Sequence, residues 1–320
     1  MRSETARSSS AAATAAGSIE PLGKRNDVLR MIGFGGLLLA SVLPLAGQEL
    51  FAWKDLGDGR LELRGNGNPV LVYNYDPQLK PGAPENRRRC CYIFPLYTPA
   101  GVSMLDDFPT DHFHHRGLFW AWPIVQTEGK QYDIWMQLTA KPRTSKTPAV
   151  KVTGRQARME ADNFWEADGK DIVREQLLLS VSPALKASRT MDVELTWEAL
   201  TAPVTLQGSA EHGKSYGGFS ARFAPRTGTI LRADGEVLTK DEDLNPRQWA
   251  ELEGVYGGKR AVLRITPDAH DPGAPYQWCL RSYGFVGASF PGRTDKVDHY
   301  TLEPGKPLTL RFQVRVSDLP

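Results

Sequence analysis

The feature that most constrains this chain is an alternation of apolar and polar residues that recurs along most of its length. It is cleanest in residues 191–200, where Val193, Leu195 and Trp197 would face one way and the polar residues between them the other. Successive side chains of a strand point to opposite faces, so this alternation predicts a strand with one buried and one wet face. Residues 308–316 follow the same rule. The pattern is looser in residues 61–63, 70–75, 150–152, 172–181 and 261–265.

Long helical patterns are nearly absent, and turn-forming residues divide the alternating runs. The chain has 30 glycines and 23 prolines, and such residues at short intervals are typical of the turns in a β-sandwich or barrel. We therefore predict an all-β fold, an antiparallel β-sandwich. The best place for a short helix is residues 243–252. Because no glycine-rich linker divides the chain, we predict a single β-sandwich domain over residues 48–320.

The first 47 residues look like a targeting sequence. A polar lead rich in serine and alanine precedes Lys24, Arg25 and Arg30, and the apolar run of residues 31–47 follows. This order of a basic region, an apolar region and a small-residue exit is typical of a secretory signal peptide. We predict that residues 1–47 are a disordered lead plus a cleaved signal peptide, and that the mature protein is periplasmic or secreted. No later segment reaches the roughly 18 apolar residues of a spanning helix, so we expect no stable membrane insertion.

The balance of charges limits the class of partner, and the cysteine content limits the possible crosslinks. The chain has 39 basic and 37 acidic residues, for a formal net charge of +2. This balance gives no basic footprint for nucleic acid, so we expect a small-molecule or oligosaccharide partner and no nucleic acid. Cys90 and Cys91 are adjacent, so at most one of them is expected to pair with Cys279. The sequence has no zinc-binding spacing, nucleotide-binding loop or serine-hydrolase elbow, and we predict no cofactor and no metal site.

The densest group of ionisable residues is the segment Asp-His-Phe-His-His-Arg-Gly that begins at Asp111. In an extended conformation His112, His114 and Arg116 would share one face, and Asp111 and His115 the other. Two alternate histidines can hold a metal together, or one can orient while the other moves a proton, because imidazole titrates near neutral pH. Any one histidine could equally cap a loop. Three of the chain's six histidines within four residues favour a functional cluster, and we expect it to line a concave pocket.

A second polar segment, Glu-His-Gly-Lys-Ser-Tyr-Gly-Gly, begins at Glu211. It places His212 and Lys214 just before Gly217 and Gly218, which allow a sharp turn or a close backbone approach to a ligand. Glu211, His212 and Lys214 are candidates for an acid, a base or a substrate contact, with His212 assigned to catalysis and Lys214 to substrate binding. An ordinary hairpin with a polar tip is equally compatible with the pattern.

A third segment combines aromatic residues with an arginine. Trp278 and Tyr283 flank Arg281, and together they could form a stacking platform for a sugar ring whose hydroxyls the arginine binds. His270 lies upstream and, with Asp111, completes the predicted substrate-binding residues. Packing in the core would explain the aromatic residues equally well.

Three stretches of the sequence together resemble a known bacterial family. They are FPLYTPAGVSMLDDFPTDHFHHRGLFWAW, KSYGGFSAR and YQWCLRSYGFVGASFPG, in this order. They are similar to uncharacterised secreted proteins that carry the automatic name methane oxygenase PmoA, although Phe113 stands where proline is expected and Ser282 where aspartate is expected. The resemblance implies a β-sandwich similar to the galactose-mutarotase supersandwich, in a setting of sugar degradation. Proteins of that fold use histidine, tyrosine and arginine on the concave sheet, but a shared fold does not fix a function.

Three functions are open at this point. The leading hypothesis is a secreted carbohydrate-active enzyme, a glycoside hydrolase, a lyase or a sugar epimerase, with His114 or His115 as acid or base and Arg116 and Arg281 as substrate clamps. A non-catalytic carbohydrate-binding protein needs only the aromatic platform. A metal-dependent oxidoreductase would use His112 and His114 as ligands, with no obvious third ligand in the sequence. Alanine at His114 or Arg116 is expected to abolish function and leave the melting temperature nearly unchanged.

Overall fold

The described part of the chain is built almost entirely of β-strands. A computed structural model describes residues 49–209, 211, 214, 216–292 and 298–320, all of which belong to one compact unit. They include a 3-10 turn at Glu85–Arg87. No helix in these ranges is long and apolar enough to cross a membrane. The predicted signal peptide and the boundary at residue 48 lie outside the described residues.

The longest strands have 11 or 12 residues and all belong to one sheet, and the other strands are shorter. In chain order they are β1 (Phe51–Asp55), β2 (Arg60–Gly65), β3 (Asn68–Asn74), β4 (Tyr92–Leu96), β5 (Leu118–Ala121), β6 (Ile124–Thr127), β7 (Lys130–Tyr132), β8 (Ala140–Thr144), β9 (Ala149–Thr153), β10 (Gln156–Ala167), β11 (Lys170–Val181), β12 (Ser188–Ala199), β13 (Val204–Gln207), β14 (Gly218–Arg222), β15 (Thr227–Ala233), β16 (Glu236–Val237), β17 (Glu242–Pro246), β18 (Ala250–Tyr256), β19 (Lys259–Pro267), β20 (Gln277–Arg281), β21 (Phe285–Ser289), β22 (Tyr300–Leu302) and β23 (Leu308–Asp318).

These strands form two large antiparallel sheets and one small sheet. The nine-stranded sheet has the order β1-β2-β3-β4-β5-β14-β21-β20-β17, and the ten-stranded sheet has the order β16-β15-β18-β19-β23-β12-β11-β10-β8, with β9 also paired to β10. A four-stranded sheet has the order β22-β13-β6-β7. The two large sheets pack face to face, and the rings of Phe219 in β14 and Phe312 in β23 stack between them with centroids 4.4 Å apart. The predicted antiparallel β-sandwich is confirmed.

The alternation in the sequence decides which side chains enter the core. Val193, Leu195 and Trp197 of β12 are all buried, and the residues between them are partly exposed. The strand β23 alternates in the same way over most of its length. Burying one such side chain stabilises the fold by roughly 1.5–3 kcal/mol, which explains why the alternating runs pair across the sheets.

Residues 243–252 are not helical, so the prediction of a short helix there is wrong. Part of this stretch lies in β17, which pairs with β20, and part in β18, which pairs with β15 and β19. Pro246 lacks an N–H group and disfavours a helix interior. The ladder bonds to neighbouring strands then override the local propensity.

One face of the nine-stranded sheet is turned away from the sandwich core. Arg222 in β14, Phe285 in β21 and Arg281 in β20 lie opposite one another in register, so they share a face. Phe219 lies three residues before Arg222 in the same strand and therefore points to the other face. Because Phe219 stacks on Phe312 in the core, the face with the two arginines is the outer one.

Candidate active site

A cavity of about 290 Å³ lies on this outer face. That volume is near the lower end of the roughly 300–1,000 Å³ typical of small-molecule sites. The lining residues are His112, His114, His115, Trp135, Met136, Glu211, Lys214, Tyr216, Cys279, Arg281, Tyr283 and Phe285. The fold therefore brings residues of all three polar segments to one place.

The histidines lie in turns, not on an extended strand, which corrects the predicted arrangement on two faces. The amide of His112 donates to the Pro109 carbonyl at 3.0 Å, and the amide of His115 donates to the His112 carbonyl at 2.8 Å. Strand β5 begins only at Leu118. A turn brings neighbouring side chains to the same side, so His112, His114 and His115 form one wall.

The three imidazoles contact one another and the aromatic rings around them. His112 stacks on His115 with ring centroids 4.6 Å apart, and on Tyr283 at 5.4 Å. His115 stacks in turn on Phe285 at 5.0 Å. His114 meets His115 edge to face at 4.5 Å. This packing fixes the orientation of the rings at the cavity wall.

Burial keeps two of the imidazoles neutral. Desolvation, helped by His112 and by nearby arginines, lowers the pKa of His114 to about 3. Burial also lowers the pKa of His115 well below its ordinary range, and His114 and His112 lower it further. The Nδ1 atom of His115 is buried without a hydrogen-bond partner. Two neutral rings at neutral pH can each accept a proton or a hydrogen bond.

Neutral imidazole is also the form that binds metals. His112 and His114, the ligands of the oxidoreductase hypothesis, have ring centroids 5.6 Å apart. Within the described ranges, no group of three or more histidine, cysteine, aspartate or glutamate side chains is arranged to hold a metal ion. The oxidoreductase hypothesis thus rests on these two histidines alone.

Asp111 contacts His112 but does not line the cavity. Its carboxylate accepts two hydrogen bonds from Nη2 of Arg222 at 2.8 Å and lies 3.0 Å from Nδ1 of His112. Desolvation raises the pKa of Asp111, but the hydrogen bonds from Arg222 and the contact with His112 outweigh it, and the net pKa is lowered. The Arg222 guanidinium also covers the ring of Tyr283, 4.8 Å from its centroid. These contacts suit Asp111 to orienting His112. They do not suit it to the substrate-binding role that was predicted from the sequence.

Arg116 does not line the cavity, which corrects its predicted role as a substrate clamp. It is 1% exposed, and its guanidinium donates to the carbonyls of Phe113 at 2.5 Å and His115 at 2.7 Å, and to that of Arg87. Its Nε lies 3.6 Å from the Asp107 carboxylate. Burial lowers the pKa of Arg116 to about 10, so it remains a cation. Arg116 therefore braces the histidine turn from below.

Two glycines allow backbones to approach closely beneath the site. A Cβ atom at Gly117 would collide with the carbonyl oxygen of Ile93 in β4. Gly218 has a φ of +112°, and a Cβ atom there would lie 2.6 Å from the Ala288 carbonyl oxygen. Both glycines are thus required by strand packing, whereas the sequence also allowed an approach of Gly218 to a ligand.

The second polar segment supplies another wall of the cavity. Nζ of Lys214 lies 3.8 Å from Oε1 of Glu211, and the Tyr216 hydroxyl donates to Oε2 of Glu211 at 3.2 Å. The Tyr216 ring packs on Trp135 with centroids 4.8 Å apart. His212 lies outside the described residues, so its catalytic role stays a prediction.

The third segment is divided between the cavity and the core. Arg281 lines the cavity, and its guanidinium donates to Asp243 in β17. Tyr283 also lines the cavity. Trp278 is 1% exposed and donates its Nε1 hydrogen to the Arg247 carbonyl at 2.8 Å, so it is a core residue and not part of a sugar platform. Residues three apart on a strand face opposite ways, which explains why Trp278 and Arg281 separate.

His270 also lies away from this cavity, contrary to its predicted substrate role. Its side chain is 95% exposed, and Nδ1 is 3.0 Å from the Asp268 carboxylate. It borders a groove of about 680 Å³ that is lined by residues of β10, β11, β12 and β23 in the ten-stranded sheet. The groove is larger than the histidine cavity, but its described lining contains one histidine, whereas three line the cavity.

Sequence reasoning missed several residues of the site region, among them Trp135, Arg222 and Phe285. Trp135 follows β7 in a loop without any periodic pattern, and its ring lies edge to face with His115 at 5.9 Å. Arg222 and Phe285 belong to different strands, and only their register with Arg281 shows that they share a face. A correct prediction of that register would have placed Arg222 and Phe285 on the same face as Arg281.

Comparisons with known proteins give a family but no activity. No protein of curated function matches the sequence. A solved structure described as "Putative kojibiose phosphorylase from human microbiome" aligns with a TM-score of 0.31 and 9% identity, over 81% of this chain and 26% of that one, so this chain spans about a quarter of its length. Neither this match nor the family description carries a methane oxygenase or mutarotase name, so that resemblance stays a prediction. Residues 60–319 match the model described as "Family of unknown function (DUF6807)", and the chain therefore belongs to the DUF6807 family.

Proposed function

We propose that the protein is a carbohydrate-active enzyme that binds a small saccharide in the histidine cavity and transfers a proton there. The observation that carries the proposal is the neutral His114 imidazole on the wall of a cavity that also presents cations and aromatic rings. A volume of about 290 Å³ suits a ligand of one or two sugar rings.

Aromatic and cationic side chains supply the binding surface for such a ligand. Trp135, Tyr216 and Phe285 line the cavity, and aromatic faces stack on the apolar faces of sugar rings. Lys214 and Arg281 line it as well and can donate hydrogen bonds to hydroxyl, carbonyl or carboxylate oxygens. The partner in this proposal is therefore a small molecule or an oligosaccharide end rather than a nucleic acid.

The reaction favoured among the three classes is that of an epimerase or a lyase. Hydrolysis of a glycosidic bond generally uses two carboxylates that flank the bond. Glu211 is the one carboxylate among the described lining residues, while Asp111 and Asp243 lie outside the lining and bind Arg222 and Arg281. An epimerase or lyase instead begins with proton abstraction from a carbon next to a carbonyl, which a neutral imidazole can perform.

His114 is the proposed base in this reaction. It takes the C–H proton, and the electron pair moves to the carbonyl oxygen, where Lys214 or Arg281 stabilises the negative charge. A pKa of about 3 makes His114 by itself a weak base. A negative charge that forms beside the ring raises the pKa of His114, because an opposite charge favours the imidazolium form.

The test is deuterium incorporation during turnover. In D₂O, with a panel of glycosides and 3-keto-glycosides, the protein should exchange a carbon-bound proton of its substrate, followed by NMR. His114→Ala should reduce the rate by roughly 10²–10⁴-fold, the usual contribution of a general base. His270→Ala is the matched control, because His270 is exposed and borders a different groove.

The outcomes separate the competing functions. Saccharide binding without turnover would favour a non-catalytic carbohydrate-binding protein. Turnover without exchange would favour a hydrolase. Equal rates in His114→Ala and the parent protein would remove His114 from the mechanism.

We further propose that the mature protein is periplasmic or secreted. The support is the order of basic and apolar regions within residues 1–47. N-terminal sequencing of the native protein should find a start between residues 46 and 50. An intact leader on a cytosolic protein would remove the proposal.

A further inference from the structure

We propose that Cys90 and Cys91 are joined by a disulfide between adjacent residues when the protein folds in an oxidising environment. Their Sγ atoms lie 3.1 Å apart, and both side chains are buried. Cys279, with which at most one of them was expected to pair, lines the histidine cavity instead. The contact between sulfur atoms is thus between the two adjacent cysteines.

The backbone at this point is shaped to bring the two sulfurs together. Cys91 has a φ of +63°, a left-handed conformation that non-glycine residues rarely adopt. Its amide donates to the Asn74 carbonyl at 2.7 Å, which holds the turn in place. In a regular strand, adjacent side chains point to opposite faces, so two neighbouring cysteines would diverge. Here closure to a disulfide length of about 2.05 Å requires a movement of about 1 Å.

The thiols are enclosed by the ten-stranded sheet. Sγ of Cys90 donates to the Pro142 carbonyl at 3.1 Å, and Sγ of Cys91 lies 3.5 Å from the Thr144 hydroxyl, both in β8. Burial raises the pKa of Cys91 well above its ordinary range, and the contact with Cys90 raises it further. Protonated, buried thiols react slowly. The bond therefore forms during folding, before β8 covers the pair.

The chemistry is thiol–disulfide exchange with a disulfide oxidant, such as oxidised glutathione. The S–S bond of the oxidant breaks and the Sγ–Sγ bond of the two cysteines forms. The two cysteines lose two protons and two electrons, and the oxidant gains them as two thiols. No other reactant is needed.

The crosslink would stiffen a segment that contacts one wall of the cavity. Arg89 precedes the pair and donates to the Trp120 carbonyl at 3.1 Å. Arg87 donates to the carbonyl of Met136, a lining residue, at 2.8 Å. A ring between adjacent residues removes little chain entropy, so the effect is local rather than a large gain in stability.

The experiment is refolding of the full chain with oxidised and reduced glutathione, then denaturation without reductant, alkylation with iodoacetamide and peptide mass spectrometry. We expect one alkylated residue, Cys279, and a peptide containing Cys90 and Cys91 that is lighter by two hydrogens than its reduced form. After reduction, all three cysteines should be alkylated.

Two further measurements keep the outcome clear. Cys279→Ser should retain the unalkylated, lighter peptide, because Cys279 takes no part in the bond. Protein recovered from a bacterial periplasm without refolding should show the same peptide. Alkylation of Cys90 and Cys91 in these unreduced samples, or peptides that link either of them to Cys279 or to a second chain, would overturn the proposal.

Discussion

Two groups of buried polar side chains, one in the sandwich core and one in the cavity wall, differ in how fully their polar atoms are hydrogen-bonded. In the sandwich core, Glu175 is 1% exposed and accepts hydrogen bonds from Asn163 at 2.9 Å, Trp165 at 3.0 Å and Trp197 at 2.9 Å. In the cavity wall, His115 is 4% exposed, but its Nδ1 atom has no hydrogen-bond partner. The protein itself supplies all these partners of Glu175, whereas it leaves a buried nitrogen of His115 unpaired.

The difference follows from where each group lies in the sheets. Asn163, Glu175 and Trp197 lie opposite one another across β10, β11 and β12 on the face that packs inward, so strand register supplies the partners. The histidines come from a turn ahead of β5, where no ladder fixes their bonds. Buried polar groups are normally paired, so the unpaired nitrogen of His115 distinguishes the cavity wall from the fully paired Glu175 group.

The largest expected effect tests the closed group. Glu175→Ala would leave the donors of Asn163, Trp165 and Trp197 buried without an acceptor, and we expect the free energy of unfolding to fall by roughly 3–5 kcal/mol. Urea denaturation measures it. Glu160→Ala, at an exposed position of β10, is the control and should change stability by less than about 0.5 kcal/mol. A decrease of less than about 1 kcal/mol in the free energy of unfolding of Glu175→Ala would contradict the difference drawn between the two groups.

An intermediate effect is expected at Arg116, which is hydrogen-bonded and buried like the core group but supports the histidine turn of the cavity wall. Arg116→Ala would leave the carbonyls of Phe113, His115 and Arg87 without their donor and loosen the histidine turn. We expect a loss of roughly 2–4 kcal/mol in urea denaturation, in place of the unchanged melting temperature predicted from sequence. Arg158→Ala, on an exposed position of β10, is the control. Lost ligand binding with unchanged stability would return Arg116 to the role of a substrate clamp.

The smallest expected effect is the pH dependence that His114 gives to stability. Its folded pKa of about 3 lies below the ordinary value of about 6.5, so the unfolded chain binds more protons between these pH values. The free energy of unfolding should therefore fall as the pH falls below about 6.5, by at most about 1.4 kcal/mol per pH unit for this residue. His115 contributes in the same direction.

The matched measurement compares the parent protein with His114→Ala in urea at several pH values between 7.5 and 4.5. Burial raises the pKa of Asp107 to about 6, which gives the opposite pH dependence below that value, so only the difference between the two proteins isolates His114. The variant should lose less stability as the pH falls. Parallel curves would show that His114 is not held neutral by the fold.

Much of the fold and part of the site were predictable from the chain. The alternation in β12 and β23 identified their buried faces, because the side-chain period of a strand is local and needs no partner. The density of ionisable residues singled out the histidine segment, and the structure places His112, His114 and His115 at the cavity. The predicted substrate residues Lys214, Arg281 and Tyr283 line it with them.

Only the tertiary structure decided how those side chains are used. The histidine segment turns because Arg116 binds its carbonyls from below, a contact that also involves Arg87, far away in sequence. Arg222 joins the site because β14 lies beside β21. Sequence periodicity determines which residues share a strand face, but whether that face meets the core, a cavity or solvent depends on sheet packing between segments that are distant along the chain.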